Sequence, residues 1–480
     1  MNYEMLLGKI PFRRFAVCVL LALLIIFVPD GVNVFGQETE SSDSTLIQGG
    51  HYFDTVKQAF RPNIGIGIKN GRIQSVGKKL DRSDYKRIIH LGEHEFLLPG
   101  FVDCHAHYNV RLFKKRREEF DVMPVIYLAN GATVTFSCGE FDPIQMNRLR
   151  KRIESGTQVG PRLLNSGPYF GRARPGWPRN GMPESKIREE VDFWVGKGVA
   201  GFKAKAIDPD SLRILIDQAH RHGLTVTGHL DSGYRNSVNP RDAIEMGIDR
   251  IEHFLGGDAM SSDRSAYASL QTIKSGTPEF EKTCQLFIEN GTFFDATLTA
   301  YGYLGIEPGV REEYGYWVDE RQFFTPHTQK IVSQRKPMRG MGMYQRIYDA
   351  KLKTIAAFHQ MGGQITLGTD HVSNGNHLPG FGVHREMDAL SRAGIPNVDV
   401  LCIATINGAK ALGIDQDHGS IQPGKYADLV VVQGNPIDDI RNTRNVRNVM
   451  KQGTWYSAEE LLDCVKGRLG PKSKQEVDAW

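Results

Sequence analysis

Apolar residues along this chain fall into two rhythms. Short runs rich in β-branched and aromatic residues recur, all but one ending in a polar residue or glycine: Phe101–His107, Thr133–Ser137, Arg162–Gly167, Gly201–Ala206, Thr225–His229, Ile248–His253, Phe293–Thr299 and Ile365–Asp370. Period-two facing and turn residues at their ends mark them as strands. Between them the spacing turns helical. In Asp210–Gly223, Leu212, Leu215, Ile216 and Ala219 share one face, and Gly223 stands where a helix C-cap belongs. Tyr344–Met361 is a second helix, just before the last run. Strands alternating with helices predict a parallel α/β fold, and eight of them predict a (β/α)8 TIM barrel.

The chain outside this region reads differently. Thr45–Leu98 carries short β-type runs, with Asn70-Gly71 between Ile64–Ile68 and Ile73–Gly77 as a hairpin signal. Gly424–Tyr456 has the same character, with strands at Leu429–Val432 and Val446–Val449. Two long insertions, Phe254–Asn290 and Tyr301–Met343, both follow barrel strands and so belong on the face where active sites form. The second holds Tyr301, Tyr303, Tyr314, Tyr316, Trp317, Phe323 and Phe324. These aromatics serve either as a substrate wall or lid, or as a cluster that stabilises its own loop.

Composition narrows the function classes. A net charge of +4 with 24% charged residues gives no basic stripe beyond Lys114-Lys115-Arg116-Arg117. That run is expected to be a solvated helix face, and no nucleic-acid partner is expected. At the N-terminus, Lys9, Arg13 and Arg14 precede apolar Ala16–Val28, and a small-residue exit follows near Gly36. This is the pattern of a Sec-type signal peptide over residues 1–36, so export to the periplasm or outside is expected. The apolar stretch is shorter than the roughly 20 residues of a membrane span, and membrane contact is expected only if the segment stays uncleaved. Beyond Cys18 the cysteines are Cys104, Cys138, Cys284, Cys402 and Cys464, an odd set without paired spacing and no disulfide framework.

The chemistry sits where the apolar runs end. His105 and His107 stand two apart on a strand and therefore share a face, which is half of a metal site. Downstream strand ends supply Lys203 and Lys205, then His229, His253 and Asp370. Strand alternation turns Cys104 away from the metal face, so it reads as packing. His220, His222, His359 and His418 lie in helical or turn contexts and read as structural.

These motifs resemble those of the amidohydrolase superfamily of metal-dependent hydrolases. Pro99-Gly100-Phe101-Val102-Asp103-Cys104-His105-Ala106-His107 is similar to its first-strand signature. Gly247–His253 is similar to its sixth strand and Leu367–Asp370 to its eighth, and Gly419–Val432 resembles its C-terminal return to a small β-domain. The resemblance runs from about Thr45 to Tyr456 and is nearest the imidazolonepropionase-related and prolidase-like branch. It implies a small β-sandwich-like domain from residues 45–98 and 418–456, a barrel over 99–417, and a C-terminal tail at 457–480.

The resemblance also implies roles. His105, His107 and Asp370 would bind the more buried of two divalent ions, His229 and His253 the more exposed one. A carboxylated lysine on the fourth strand bridges the ions in binuclear members. Register against the family favours Lys203 over Lys205, although strand period alone does not separate them. Imidazoles with one carboxylate suit Zn²⁺. Asp370 would serve as general base, passing a proton from the attacking water to the leaving amine.

Prolidase-like relatives place a Tyr and an Arg soon after the fifth-strand histidine. Here Asp231 takes the early position and Tyr234 and Arg235 come later. Tyr169, Tyr234 and Arg235 are the candidate substrate contacts. The expected function is hydrolysis of a C–N amide bond in a small molecule, a dipeptide or an N-acyl amino acid, by a monomer or a homo-oligomer. The alternatives are a mononuclear cyclic-amide hydrolase or deaminase, and a non-catalytic exported binding protein.

Overall fold

The computed structural model describes residues 44–178, 181–231, 237–256, 259, 265–305, 317–334, 341–371 and 377–480. The expected signal segment lies outside them, as do Tyr234, Arg235, Tyr314 and Tyr316.

The eight barrel strands pair in parallel in two arcs. Phe101–Ala106 pairs with Ala132–Ser137, which pairs with Arg162–Asn165. The second arc runs Tyr169–Phe170, Gly201–Lys205, Thr225–His229, Arg250–Glu252, Phe293–Asp295 and Ile365–Thr366. Backbone bonds join the arcs at both seams. Cys104 N donates to Leu367 O and Asp370 N to His105 O, each at 2.9 Å, and Ala200 N donates to Asn165 O at 2.8 Å. The third strand divides its pairing between the arcs because the chain turns at Gly167 (φ 67°).

Three strands stop earlier than the hydrophobic pattern predicts. The sixth ends at Glu252, the seventh at Asp295 and the eighth at Thr366. His253 (φ 64°) and Thr297 (φ 49°) take left-handed backbone just past the sixth and seventh strands, and Asp370 (φ 42°) does so at its last backbone bond to the first strand. Leu298 and Thr299, expected in the seventh strand, start the helix Leu298–Gly305 instead. Their N–H groups donate to the Glu386 carboxylate at 2.8 and 2.6 Å, so a buried anion caps a helix start where a strand was expected.

The helices behind the barrel follow their apolar spacing. Pro209–Arg221 buries Leu212, Leu215, Ile216 and Ala219, and Asp208 caps it by accepting from Ser211 N at 2.9 Å. Met341–Gln360 precedes the eighth strand. The basic run Lys114–Arg117 corrects its reading as a helix face. Lys115–Glu118 pairs antiparallel with Asn109–Leu112, because Phe113 (φ 50°) and Lys114 (φ 61°) form a two-residue hairpin turn with both central residues left-handed. This hairpin stands at the barrel mouth, after the first strand.

The two ends of the described chain share one eight-stranded sheet. Its central strand, Arg87–Pro99, pairs parallel with Ser44–Asp54 and antiparallel with Leu429–Gln433. The hairpin Ile66–Lys69/Arg72–Val76 turns at Asn70 (φ 51°) and Gly71 (φ 72°), as its sequence predicts. Residues 457–480 are more than a tail. Thr325 N donates to Leu469 O at 3.0 Å, and Lys115 Nζ donates to the carbonyls of Val477 and Asp478 at 2.9 Å. The C-terminal segment thus straps the insertion after the seventh strand and the hairpin after the first. Among the described residues, no helix is long and apolar enough to cross a membrane.

Candidate metal centre

The seam between first and eighth strands brings three expected ligands together. His107 Nε2 lies 2.9 Å from Asp370 Oδ1, and His105 Nε2 lies 3.5 Å from the same atom. Asp103, one residue pair below, holds this register. Its carboxylate accepts from His105 N, Thr369 N and Thr369 Oγ1 at 2.8–3.1 Å. His105 Nδ1 lies 3.0 Å from Asp295 Oδ2 on the seventh strand. A carboxylate on Nδ1 fixes the ring and leaves Nε2 as the ligand atom, a common arrangement behind metal-bound histidines. Burial pushes the Asp295 carboxyl up to about 8, and a cation at the centre would draw it back toward the ionised form.

The fifth and sixth strands bring the other pair. The His229 and His253 rings are 4.4 Å apart between centroids. His253 Nδ1 is 2.7 Å from Thr297 Oγ1, and its Nε2 points to Asp370 Oδ2 at 3.8 Å. Burial drives all four imidazoles below the ordinary histidine range, and the ammonium of Lys203 adds to this. This favours the neutral imidazole, which is the ligating form. Asp370 moves the other way from most buried carboxyls. Burial raises it, but the His107 hydrogen bond and the nearby lysines outweigh that and hold it below its ordinary value.

His253 Nε2 is buried with no hydrogen-bond partner. An unsatisfied buried imidazole nitrogen is costly unless a cation meets it. Ligand atoms of His105, His253 and Asp370 lie within 4.8 Å of one another, as do those of His229, Glu252 and His253. The donor set fits a divalent ion.

Lys203 and Lys205 share a strand face but differ in depth. Lys203 is fully buried, contacts the Glu252 carboxylate and lies 3.3 Å from Cys138 Sγ. Burial lowers its proton affinity, opposed by Cys138 and Asp370. Lys205 is the outer of the two, at the mouth over the Tyr169 ring.

The structure adds residues that the sequence reading passed over. Glu252 and Cys138 meet at 2.9 Å beneath the histidines, and Thr227 Oγ1 donates to Glu252 at 2.7 Å. Lys351, on the helix before the eighth strand, donates to His253 O at 2.7 Å and fixes that left-handed turn. Asp295 lies inside the expected run Phe293–Thr299 and becomes a strand end only because the strand stops there. Lys351 carries no strand-end signal.

The insertions supply both structure and wall. Tyr301 lies 6.1 Å from His253, and Tyr267 Oη is 3.5 Å from His229 Nε2. Trp317 instead packs on Phe381 and His384, and Phe323 on Phe381. Asp231 is structural. It accepts from Ala266 N at 2.7 Å and starts the helix Ala266–Leu270. His220, His222 and His418 pair with Asp249, Asp192 and Asp428 at 2.7–3.0 Å, away from the centre.

The chain resembles known proteins along most of its length. It is 38% identical over 385 residues to the 5'-deoxyadenosine deaminase of Methanothermobacter thermautotrophicus, covering 76% of this chain and 79% of that one. It is 32% identical over 142 residues to the 5-methylthioadenosine/S-adenosylhomocysteine deaminase of Teredinibacter turnerae, which spans 26% of this chain and 30% of that relative. A crystal structure of a Xaa-Pro dipeptidase with bound methionine superposes with a TM-score of 0.64 at 21% identity, over 86% of this chain and 100% of that one, a likeness of fold. The amidohydrolase family profile matches residues 96–456. With that match spanning the barrel and its cluster of histidines, carboxylates and lysine, the chain belongs to the amidohydrolase family of metal-dependent hydrolases acting on carbon–nitrogen bonds.

Proposed function

We propose that this protein hydrolyses the amide bond of a dipeptide or N-acyl amino acid, using two zinc ions held by His105, His107, Lys203, His229, His253 and Asp370. The observation that carries this reading is Lys203, fully buried on the fourth strand directly beneath the histidines. Lowered proton affinity makes the neutral amine, the form that adds carbon dioxide, easier to reach. Its nitrogen bonds the carbon, one proton leaves, and a carbamate anion takes the place of a cation. Bound divalent ions polarise the carbonyl and lower the pKa of water to about 7.

The chain's own groups do the rest. Asp370 accepts the proton of the attacking water and returns it to the leaving nitrogen, and its low proton affinity keeps it ionised before each turnover. Asp295 and Thr297 hold the two buried imidazoles in register. Tyr267 and Tyr301 wall the site on the fifth-to-seventh-strand side. Tyr169 walls the opposite side, and Tyr234 and Arg235, five and six residues after His229 in the sequence, are the further candidate substrate contacts. The N-terminal segment supports export by a Sec-type route.

A deaminase of a nucleoside-like heterocycle is the second reading, favoured by the 38% identity to a 5'-deoxyadenosine deaminase. A screen of zinc-loaded protein against dipeptides, N-acyl amino acids, lactams and 5'-deoxyadenosine, with elemental analysis alongside, separates the two. Amide turnover with about two ions per chain supports the first reading. Deamination with one ion supports the second.

A further inference from the structure

We infer that Lys205, with Arg116 and the Phe141 and Tyr169 rings, forms a subsite for a substrate carboxylate next to the scissile amide. This rests on the amide-hydrolase reading above. Lys205 is the register partner of His229 on neighbouring parallel strands, so both side chains stand on the same face at the same level. It lies one strand period above Lys203, toward the open mouth.

From Lys205 a continuous wall runs round the rim. Its Nζ is 5.7 Å from the Tyr169 ring centre, Tyr169 is 5.5 Å from Phe141, and the Arg116 guanidinium lies 4.0 Å from the Phe141 ring. Cations thus close both ends of an aromatic pair, with Phe141 from the loop after the second strand and Tyr169 from the strand segment Tyr169–Phe170. The seat of Tyr169 is shaped for it. Gly139 has φ 88°, and any Cβ there would run into the Tyr169 ring.

Two features point to a ligand. Among the described residues Lys205 makes no side-chain hydrogen bond or ion pair, whereas the other two buried lysines of the site are satisfied: Lys203 by Glu252 and Lys351 by the His253 carbonyl. Asp370 acts on Lys205 only through space, and a half-buried cation with no anion in hydrogen-bonding contact is costly unless a ligand supplies one. Phe141 is 47% exposed, a large apolar surface left open beside that cation. Arg116 donates Nε to Asn109 Oδ1 at 2.7 Å, which leaves its outer edge for a carboxylate. The neighbouring Glu118 acts on Arg116 through space and turns one carboxylate oxygen to Phe141 N, from which it accepts at 3.0 Å. One ammonium and one guanidinium flanking aromatic faces match a carboxylate attached to an apolar or aromatic side chain.

The test compares dipeptides with free and amidated C-termini on zinc-loaded wild type, Lys205→Met and Lys205→Arg, each with its metal content measured. Wild type should favour free acids at least tenfold in kcat/KM. Lys205→Met should lower that ratio at least tenfold, mainly through KM, with its metal retained, and Lys205→Arg should restore part of it. An unchanged ratio, or loss of an ion from Lys205→Met, overturns the subsite. If wild type hydrolyses no amide, the proposed function fails separately, and calorimetric titration of benzoate reads the subsite alone. Binding at least tenfold weaker in Lys205→Met supports it. Equal binding, or none to wild type, overturns it.

Discussion

Asp370 shows how much one residue can be asked to do. It sits in left-handed backbone, where a non-glycine residue costs on the order of 1–3 kcal/mol, and it faces three imidazoles. Asp370→Asn should keep at least one ion and lose about 10²–10⁴ in turnover, because an amide cannot accept and return a proton. Near-normal rates with any substrate of the parent would reduce Asp370 to a strand-end residue. Lys203→Ala should lose one ion and most activity, with partial rescue by a short carboxylic acid. If Lys205→Ala behaves this way instead, the bridge lies two residues further along.

Away from the centre, His384 packs against Trp317 and Phe101, with Nδ1 3.2 Å from Thr443 Oγ1. Burial, then Arg444 and Arg385, push it down to about 3, below its ordinary 6.5. Its contribution to stability is therefore complete above about pH 6.5 and is lost as pH falls. Between pH 7 and pH 5 it should remove about 1–2 kcal/mol. In denaturant titrations His384→Gln, which keeps a partner for Thr443, should lose that much less over the same interval. Equal losses would show that His384 protonates without cost.

Among elements, the hydrophobic pattern located the strands but not their ends. Pairing in the sixth and seventh strands stops just short of His253 and Thr297, which turn left-handed, and no apolar count registers a dihedral angle. The proposed ligands His107, His229, His253 and Asp370 were legible because each is a polar residue closing an apolar run. Glu252 and Cys138 were not. A carboxyl and a thiol inside a buried run look like ordinary strand positions until a neighbouring strand presents Lys203. The basic hairpin was misread for a related reason: a run of charges has no period, and its turn lies in the backbone of Phe113 and Lys114. At this scale Gly139→Ala combines positive φ with a clash against Tyr169. It should cost about 1–3 kcal/mol in thermal or denaturant unfolding and raise KM. Wild-type stability and KM in that variant would mean the turn after the second strand is freely adjustable.

For the whole molecule, the proposed metal ligands come from the first, fifth, sixth and eighth strands, and Lys203 from the fourth. Ions that bind only the assembled barrel stabilise it by mass action, by about 4 kcal/mol at a free concentration a thousand times Kd. Chelation should lower the melting temperature, and zinc should restore it in proportion to the logarithm of its concentration. A melting temperature indifferent to chelation would mean that the ligands do not bind metal in the folded state.

The composite sheet also sets a timetable. Its central strand, Arg87–Pro99, finds one neighbour within the first hundred residues but the other only at Leu429–Gln433. Closing a loop of that length comes late, and non-local pairing is slow. While ribosomes are still making the barrel, one edge of Arg87–Pro99 stays unpaired and the chain stays open. A nascent protein that cannot finish folding until its end is made can still be threaded through a narrow pore, and it also depends on chaperones to guard that edge. Pulse-chase proteolysis should show protection of the N-terminal strands appearing only after residue 433 has been synthesised.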